Sequence, residues 1–276
     1  MAGKLCLVTG ANSGLGKATV LELARQGGSV ILACRDRGRG EAAQAEISAA
    51  TGSTQLELLL VDLGSQRSVR EAADQFCTKH KSLDVVVNNA AIYKTSRSLT
   101  PDGLESMFAT NYLGHFLLTT LLLGALKASP SGRVINITAP VTTKLDFDDL
   151  QSAKDFNTNE AFGVSKMCNL LFSNALAHRL TGTRATSNAL HPGLVKSNLL
   201  QDAPRPMRWI SNIISRTPEQ AAQAVVHLAL SPELEGVNGK FFKGKTLSQA
   251  DPYSEDAQVQ QRLWDVSTDL VNSSLN

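Results

Sequence analysis

The alternation of two hydrophobic rhythms constrains this chain more than any other feature. Short β-branched or leucine-rich runs at 4–9, 29–34, 56–61, 83–87, 133–138, 185–190 and 239–242 have the length and composition of strands. Between them lie longer stretches with helical spacing, at 15–27, 38–50, 65–80, 103–127, 160–181 and 217–230. Strands that take turns with helices form βαβ units, which build a parallel sheet covered on both faces. No Pro/Gly/Ser-rich linker, repeat or low-complexity tract interrupts the pattern, so residues 1–276 read as one doubly wound α/β domain of about seven strands. The segment 198–216 fits neither rhythm, and its Pro204, Pro206, Met207, Trp209, Ile210, Ile213 and Ile214 describe an apolar flap.

Composition limits the partners. With a net charge of +2, no global field selects nucleic acid or an anionic membrane. Cys6, Cys34, Cys77 and Cys168 are scattered without disulfide or metal-ligand spacing, so no metal is expected and a reducing, cytoplasmic setting is. The most apolar stretch, 113-LGHFLLTTLLLGAL-126, carries a histidine, two threonines and two glycines and is too short to span a bilayer. The opening Lys4-Leu5-Cys6-Leu7-Val8 turns at Gly10, too soon for a signal peptide.

In 9-TGANSGLGK-17 a strand ends and a helix begins, with Gly10, Gly14 and Gly16 around Asn12, Ser13 and Leu15. Glycines there let the backbone turn sharply and approach a pyrophosphate, while the helix N-terminus offers free N–H groups and a positive dipole end. The next strand, 29-SVILAC-34, runs into 35-RDRGR-39, where a βαβ nucleotide fold places the adenosine ribose. A carboxylate there binds a free 2′-hydroxyl, whereas a guanidinium suits a 2′-phosphate. Arg35, with Arg37 or Arg39 beside it, therefore argues for NADP(H), and Asp36 keeps NAD(H) as the alternative. The stretches 61-VDL-63 and 87-VNNAA-91 end two further strands at the edge where open parallel sheets hold ligands.

The chain resembles the short-chain dehydrogenase/reductase family along nearly its whole length, and most closely the retinol-dehydrogenase-like branch. The stretches that carry the resemblance are TGANSGLG, ILACRDRGRGEAA, VDL, NNAA, LESMFATNYLGHFLLTTLLL, RVINI, FDDLQS, SKMCNLLFSNALAHRL and HPGLVKSNL. It implies a Rossmann-type sheet, with Asp62 and Leu63 flanking adenine and Asn88, Ala90 and Ala91 beside the ribose and central edge. Pro192, Gly193, Val195 and Ser197 would line the nicotinamide carboxamide. It also implies a homodimer or homotetramer paired through the apolar helices near 111–127 and 160–180.

The family's chemistry is hydride transfer between a nicotinamide and a carbonyl or alcohol carbon. A tyrosine moves the hydroxyl proton, a lysine holds the ribose and lowers that tyrosine's pKa, a serine bonds the substrate oxygen, and an asparagine keeps a water relay. By resemblance the asparagine is Asn111 and the lysine Lys166, but the tyrosine position of 162-FGVSK-166 is Phe162. In 136-NITAP-140 the catalytic serine falls on Ala139, with Thr138 one position early. Tyr93, just past NNAA, offers a hydroxyl near the same edge, although an exposed loop aromatic is the simpler reading, and Tyr112 and His115 read as core or interface. Several readings stay open. The chain is an NADP(H)-dependent oxidoreductase for a small apolar carbonyl or alcohol with an incomplete tetrad, or a non-redox cyclase, isomerase or dehydratase on the same scaffold. It is otherwise a catalytically weak NADP(H)-binding protein or a deliberately inactivated variant.

Overall fold

The structure, a computed structural model, describes residues 3–196, 199 and 215–273. Strands β1 (Leu5–Thr9), β2 (Ser29–Cys34), β3 (Leu56–Leu60), β4 (Val85–Asn88), β5 (Arg133–Ile137), β6 (Thr186–His191), β7 (Phe241–Lys243) and β8 (Thr246–Ser248) form one sheet in the order β3-β2-β1-β4-β5-β6-β7-β8. All neighbours are parallel except β7 and β8. The strand order reverses between β1 and β4, which opens a crevice at the carboxyl edge.

Residue parity sorts the strand side chains between two layers, because successive side chains point to opposite faces. Leu7, Ile31, Leu59, Val86 and Val134 join one core, while Cys6, Val8, Val30, Val85, Val87 and Ile135 join the other. The second core is closed by α1 (Gly14–Arg25), α2 (Arg37–Thr51) and, later in the chain, the helix Pro218–Leu230. The first core is closed by α3 (Gln66–Lys79), the central helices and the long helix Thr158–Arg179.

The central helical stretch is not the continuous rod that the pattern at 103–127 suggests. Gly103 turns back at φ 74, and Glu105 caps α4 (Ser106–Phe108) by accepting from the N–H groups of Met107 and Phe108. A π turn, Ala109–Leu113, follows and leads into α5 (Gly114–Leu121) and α6 (Leu123–Ala128). Gly114 is needed because a Cβ there would collide with the carbonyl of Leu63. The remaining helices are α7 (Thr158–Arg179), α8 (Pro218–Leu230) and α9 (Ala257–Asn272).

Two elements go beyond the expected seven strands and six helices. Strand β8 returns from β7 through Gly244 at φ 61, a hairpin hidden in FFKGKTLS. Helix α9 starts at the Asp256 cap and carries Val259, Leu263, Val266 and Leu270 at helical spacing, a signal that could have found it. It packs on the very aromatic face through which subunit pairing was expected. Trp264 lies edge-on to Phe116 at 5.0 Å, stacks on Phe172 at 6.0 Å, and sits under the Arg179 guanidinium at 3.8 Å. On that face α9 of the same chain covers the rings of Phe116 and Phe172. No helix among the described residues is long and apolar enough to cross a membrane. The expected flap at 198–216 falls, apart from Leu199, Ser215 and Arg216, outside the described residues.

Because Trp264 joins a half-buried ring stack to a guanidinium, Trp264→Ala is expected to cost about 2–4 kcal/mol. Urea unfolding monitored by far-ultraviolet dichroism measures this, and a loss below about 0.5 kcal/mol would remove α9 from the cooperative core.

Candidate functional site

The turn after β1 is built for close approach. Gly10 and Gly14 take φ 64 and 51. A side chain at Gly16 would collide with the Gly10 carbonyl and the Asn89 amide. Helix α1 then begins at Ser13 with no side-chain cap and no acidic residue in its first turn. By contrast α2, α3, α7, α8 and α9 each receive a side-chain cap, from Asp36, Ser65, Asn157, Thr217 and Asp256. The first N–H groups of α1 thus keep their donors turned outward beside Asn12, Ser13 and Leu15, which fits a dinucleotide pyrophosphate.

At the end of β2, Arg35 is exposed and makes no ion pair among the described residues, whereas Arg37 lies 3.5 Å from Glu41. The Asp36 carboxylate accepts the Arg39 N–H at 2.8 Å and so belongs to the α2 cap. After β3, Asp62 accepts the Gly64 N–H at 2.9 Å and Leu63 is buried against Gly114. Asn88, expected beside a ribose, points the other way. Its amide donates to Thr119 and Asn136 at 2.9 and 2.8 Å and is 2% exposed, so its side chain serves the core. The residue that reaches the edge is Asn89, whose Nδ2 donates to the Thr9 carbonyl beneath the glycine turn. Strand parity held the signal: Asn88 shares the face of Val86.

A chain of hydrogen bonds fixes the edge. The Thr9 hydroxyl accepts from the N–H groups of Asn89 and Ala90 at 2.9 and 3.0 Å and contacts His115 Nε2 at 2.9 Å. His115 Nδ1 lies 3.0 Å from the Asn111 carbonyl, which can only accept, so Nδ1 carries the proton. Nε2 then accepts from the Thr9 hydroxyl, which shares its proton with the Val87 carbonyl at 3.2 Å. Burial holds the His115 pKa down at about 4, which keeps the ring neutral for this role. The Asn111 carbonyl also receives Asn169 Nδ2 at 3.0 Å. The Asn111 side chain bonds both main-chain polar groups of Ile92, at 2.7 and 3.0 Å, and donates to Ser165 at 3.1 Å.

Lys166 lies under this floor, 5% exposed, with Nζ 3.4 Å from the Ile137 carbonyl and 5.5 Å from the Phe162 ring centre. Burial lowers its pKa to about 8. Thr138 turns toward α7 and donates its hydroxyl proton to the Lys166 carbonyl at 2.7 Å, so that proton is held. Ala139 and Phe162 are half-buried at the same edge. Tyr93 is a correction: it is not an exposed loop aromatic but 7% exposed, its hydroxyl donating to Asn159 Oδ1 at 2.8 Å and its ring edge-on to Phe162 at 5.5 Å. Pro192 is buried, Gly193 takes φ 92, and Val195 bridges to Arg216. Ser197 lies outside the described residues.

The geometry has counterparts. The short chain dehydrogenase family model matches residues 4–207. Mouse retinol dehydrogenase 13 is 41% identical over 99% of this chain and 85% of its own length. Human retinol dehydrogenase 14 is 39% identical over 98% of this chain and 87% of its own. The crystal structure of an uncharacterized protein from Mycobacterium paratuberculosis superposes with a TM-score of 0.79 at 32% identity, over 98% of this chain and 94% of that one.

Two outcomes follow from the geometry. Gly16→Ala is expected to cost about 1–3 kcal/mol in chemical unfolding, since two backbone segments would have to part. For Lys166, burial disfavours the charged amine, so the folded state gives up its proton above about pH 8 while the unfolded chain keeps its own up to about pH 10.5. Burial therefore costs stability at neutral pH, and the cost fades as pH rises from about 8 to 10.5. Lys166→Met should stabilise the ligand-free protein at pH 7 by on the order of 3 kcal/mol, with the gain vanishing near the upper end of that window. An equal gain at both pH values would contradict the assignment.

Proposed function

The chain belongs to the short-chain dehydrogenase/reductase family, oxidoreductases that bind NAD(H) or NADP(H), and from that premise we propose that it is an NADP(H)-binding oxidoreductase for small apolar carbonyls or alcohols. The observation that carries the reading is the uncapped start of α1 over the Gly10–Gly16 turn, in line with the exposed guanidinium of Arg35. With Asp36 engaged in the α2 cap, the charge free to meet the adenosine ribose is positive, which supports a 2′-phosphate. Asp62 and Leu63 would flank the adenine, Ala90 the ribose, and Pro192, Gly193 and Val195 the carboxamide.

Bound there, the cofactor supplies or accepts a hydride. The rest falls to this chain's residues. Lys166, buried beside the sheet edge, would hold the ribose hydroxyls, and Asn111 keeps the loop after β4 against α7. Counting from Lys166, the family's tyrosine position is Phe162, and the serine position is Ala139, neither of which carries a hydroxyl. A positioned general acid is worth roughly 10²–10⁴ in rate and one oxyanion donor roughly 10²–10³. Members of one catalytic unit do not add, so the deficit is nearer the larger single contribution, about 3–6 kcal/mol of barrier. That deficit supports the second reading, a non-redox conversion that uses the cofactor-loaded pocket as a template. The apolar substrate class draws on the retinol dehydrogenases among the relatives.

Calorimetric titration is expected to show NADPH binding at least tenfold more tightly than NADH, with the difference lost in Arg35→Ala. Equal affinities in the unaltered protein refute the preference. Phe162→Tyr with Ala139→Ser should raise NADPH-dependent reduction of all-trans-retinal or decanal by about 10²-fold or more. Should the double variant stay inert while the unaltered protein converts a ligand without consuming NADPH, the non-redox reading replaces this one.

A further inference from the structure

The chain holds three tyrosines, and the fold engages two of them away from the site. Tyr112 is fully buried with its hydroxyl 2.6 Å from Ser267 of α9, and the Tyr253 hydroxyl accepts from the Leu145 N–H at 3.2 Å. Tyr93 differs. It follows Ile92, whose two main-chain groups Asn111 grips, so its backbone is pinned to the centre of the site. Its ring meets Phe162 edge-on at 5.5 Å, on a ring whose other neighbour is Lys166 at 5.5 Å. Its hydroxyl donates to Oδ1 of Asn159 at 2.8 Å, an exposed side chain in the first turn of α7 that a substrate oxygen can replace as acceptor. The acceptor that holds the Thr138 proton is instead the main-chain carbonyl of buried Lys166.

Resting on the oxidoreductase reading above, we propose that Tyr93 is the catalytic acid of carbonyl reduction in this chain, giving its phenolic proton to the substrate oxygen in place of the hydroxyl that Phe162 lacks. The step balances in the usual way. The carbonyl carbon accepts a hydride from the reduced nicotinamide, the C=O π pair moves to oxygen, and that oxygen takes the proton as the Tyr93 O–H bond breaks. Solvent beside Asn159 returns a proton to the phenolate. Phe162 then has a role of its own, since an edge-to-face contact fixes the plane of the Tyr93 ring. The surroundings set the protonation state. Lys166 faces the Phe162 ring, and desolvation raises the Tyr93 pKa, so the phenol keeps its proton at neutral pH. An alkoxide is basic enough to take that proton, whereas alcohol oxidation would need the phenolate as base. At neutral pH the residue is therefore held in the form that reduction uses.

The test compares the unaltered protein, Tyr93→Phe, and Tyr93→Phe combined with Phe162→Tyr and Ala139→Ser, using all-trans-retinal and decanal with NADPH. Tyr93→Phe keeps the ring and is expected to lower kcat about 10²-fold, with NADPH affinity unchanged and the unfolding midpoint lowered only slightly by loss of the bond to Asn159. The triple variant is expected to return kcat to at least the unaltered level, because it carries hydroxyls at both 139 and 162. As a readout independent of turnover, affinity of the NADPH complex for 1-decanol should fall about fivefold in Tyr93→Phe while affinity for decane holds. Unchanged kcat, a loss confined to KM, equal weakening of decanol and decane, or no restoration in the triple variant would each overturn the assignment of Tyr93 while leaving the oxidoreductase reading in place. Absence of turnover by the unaltered protein, with NADPH bound, overturns both.

Discussion

The Asn111 amide bonds both main-chain polar groups of Ile92 and the hydroxyl of Ser165, while its carbonyl receives His115 and Asn169. Through these contacts one residue ties the loop after β4 to α5 and α7, and through His115 and Thr9 to β1. The π turn in which Asn111 sits widens the helix locally, and such turns recur at functional sites because they release a carbonyl from the helical ladder. Tyr93, Phe162 and Lys166 all stand on elements that this node joins, so their mutual placement depends on it more than on any contact among themselves.

Beneath the node, polar side chains run across a buried layer. Asn88 bonds Asn136, Asn136 bonds Ser187, and Ser187 meets Ser173 at 3.2 Å. Oδ1 of Asn88 and of Asn169 find no partner among the described residues. Each unpaired buried acceptor costs roughly 1–3 kcal/mol, so the sheet gives up stability to hold directional groups below the site. Directional bonds fix register and orientation where apolar packing alone tolerates small slips. The nucleotide cradle needs none of this chemistry. It depends on glycine sterics and a helix start, to which positions 139 and 162 contribute no side chain.

The C-terminal helix shows how a distant segment changes the meaning of a surface. The aromatic faces of α5 and α7 look like subunit contacts when their sequences are read alone. In the fold, Trp264 and Leu263 of α9 occupy them, and α3 seals the end of α9 through Gln66 and Arg70, which donate to the carbonyls of Leu270 and Val271.

By itself, the sequence determined the parallel α/β architecture, the extent of most elements and the glycine cradle. These follow from side-chain periodicity and from the conformational freedom of Gly10, Gly14 and Gly16, which act over a few neighbouring residues. It also determined that Phe162 and Ala139 bear no hydroxyl, since composition is local by nature. Tertiary structure alone decided that Asn88 turns into the core and Asn89 to the edge, that Asp36 caps a helix, and that the Thr138 proton is held by Lys166. It alone decided that Tyr93 is buried against Phe162 and that α9 covers the central helices. In each of these cases the outcome depends on which group across the fold reaches the same few ångströms. Such contacts join residues far apart in the chain, and no local pattern encodes them.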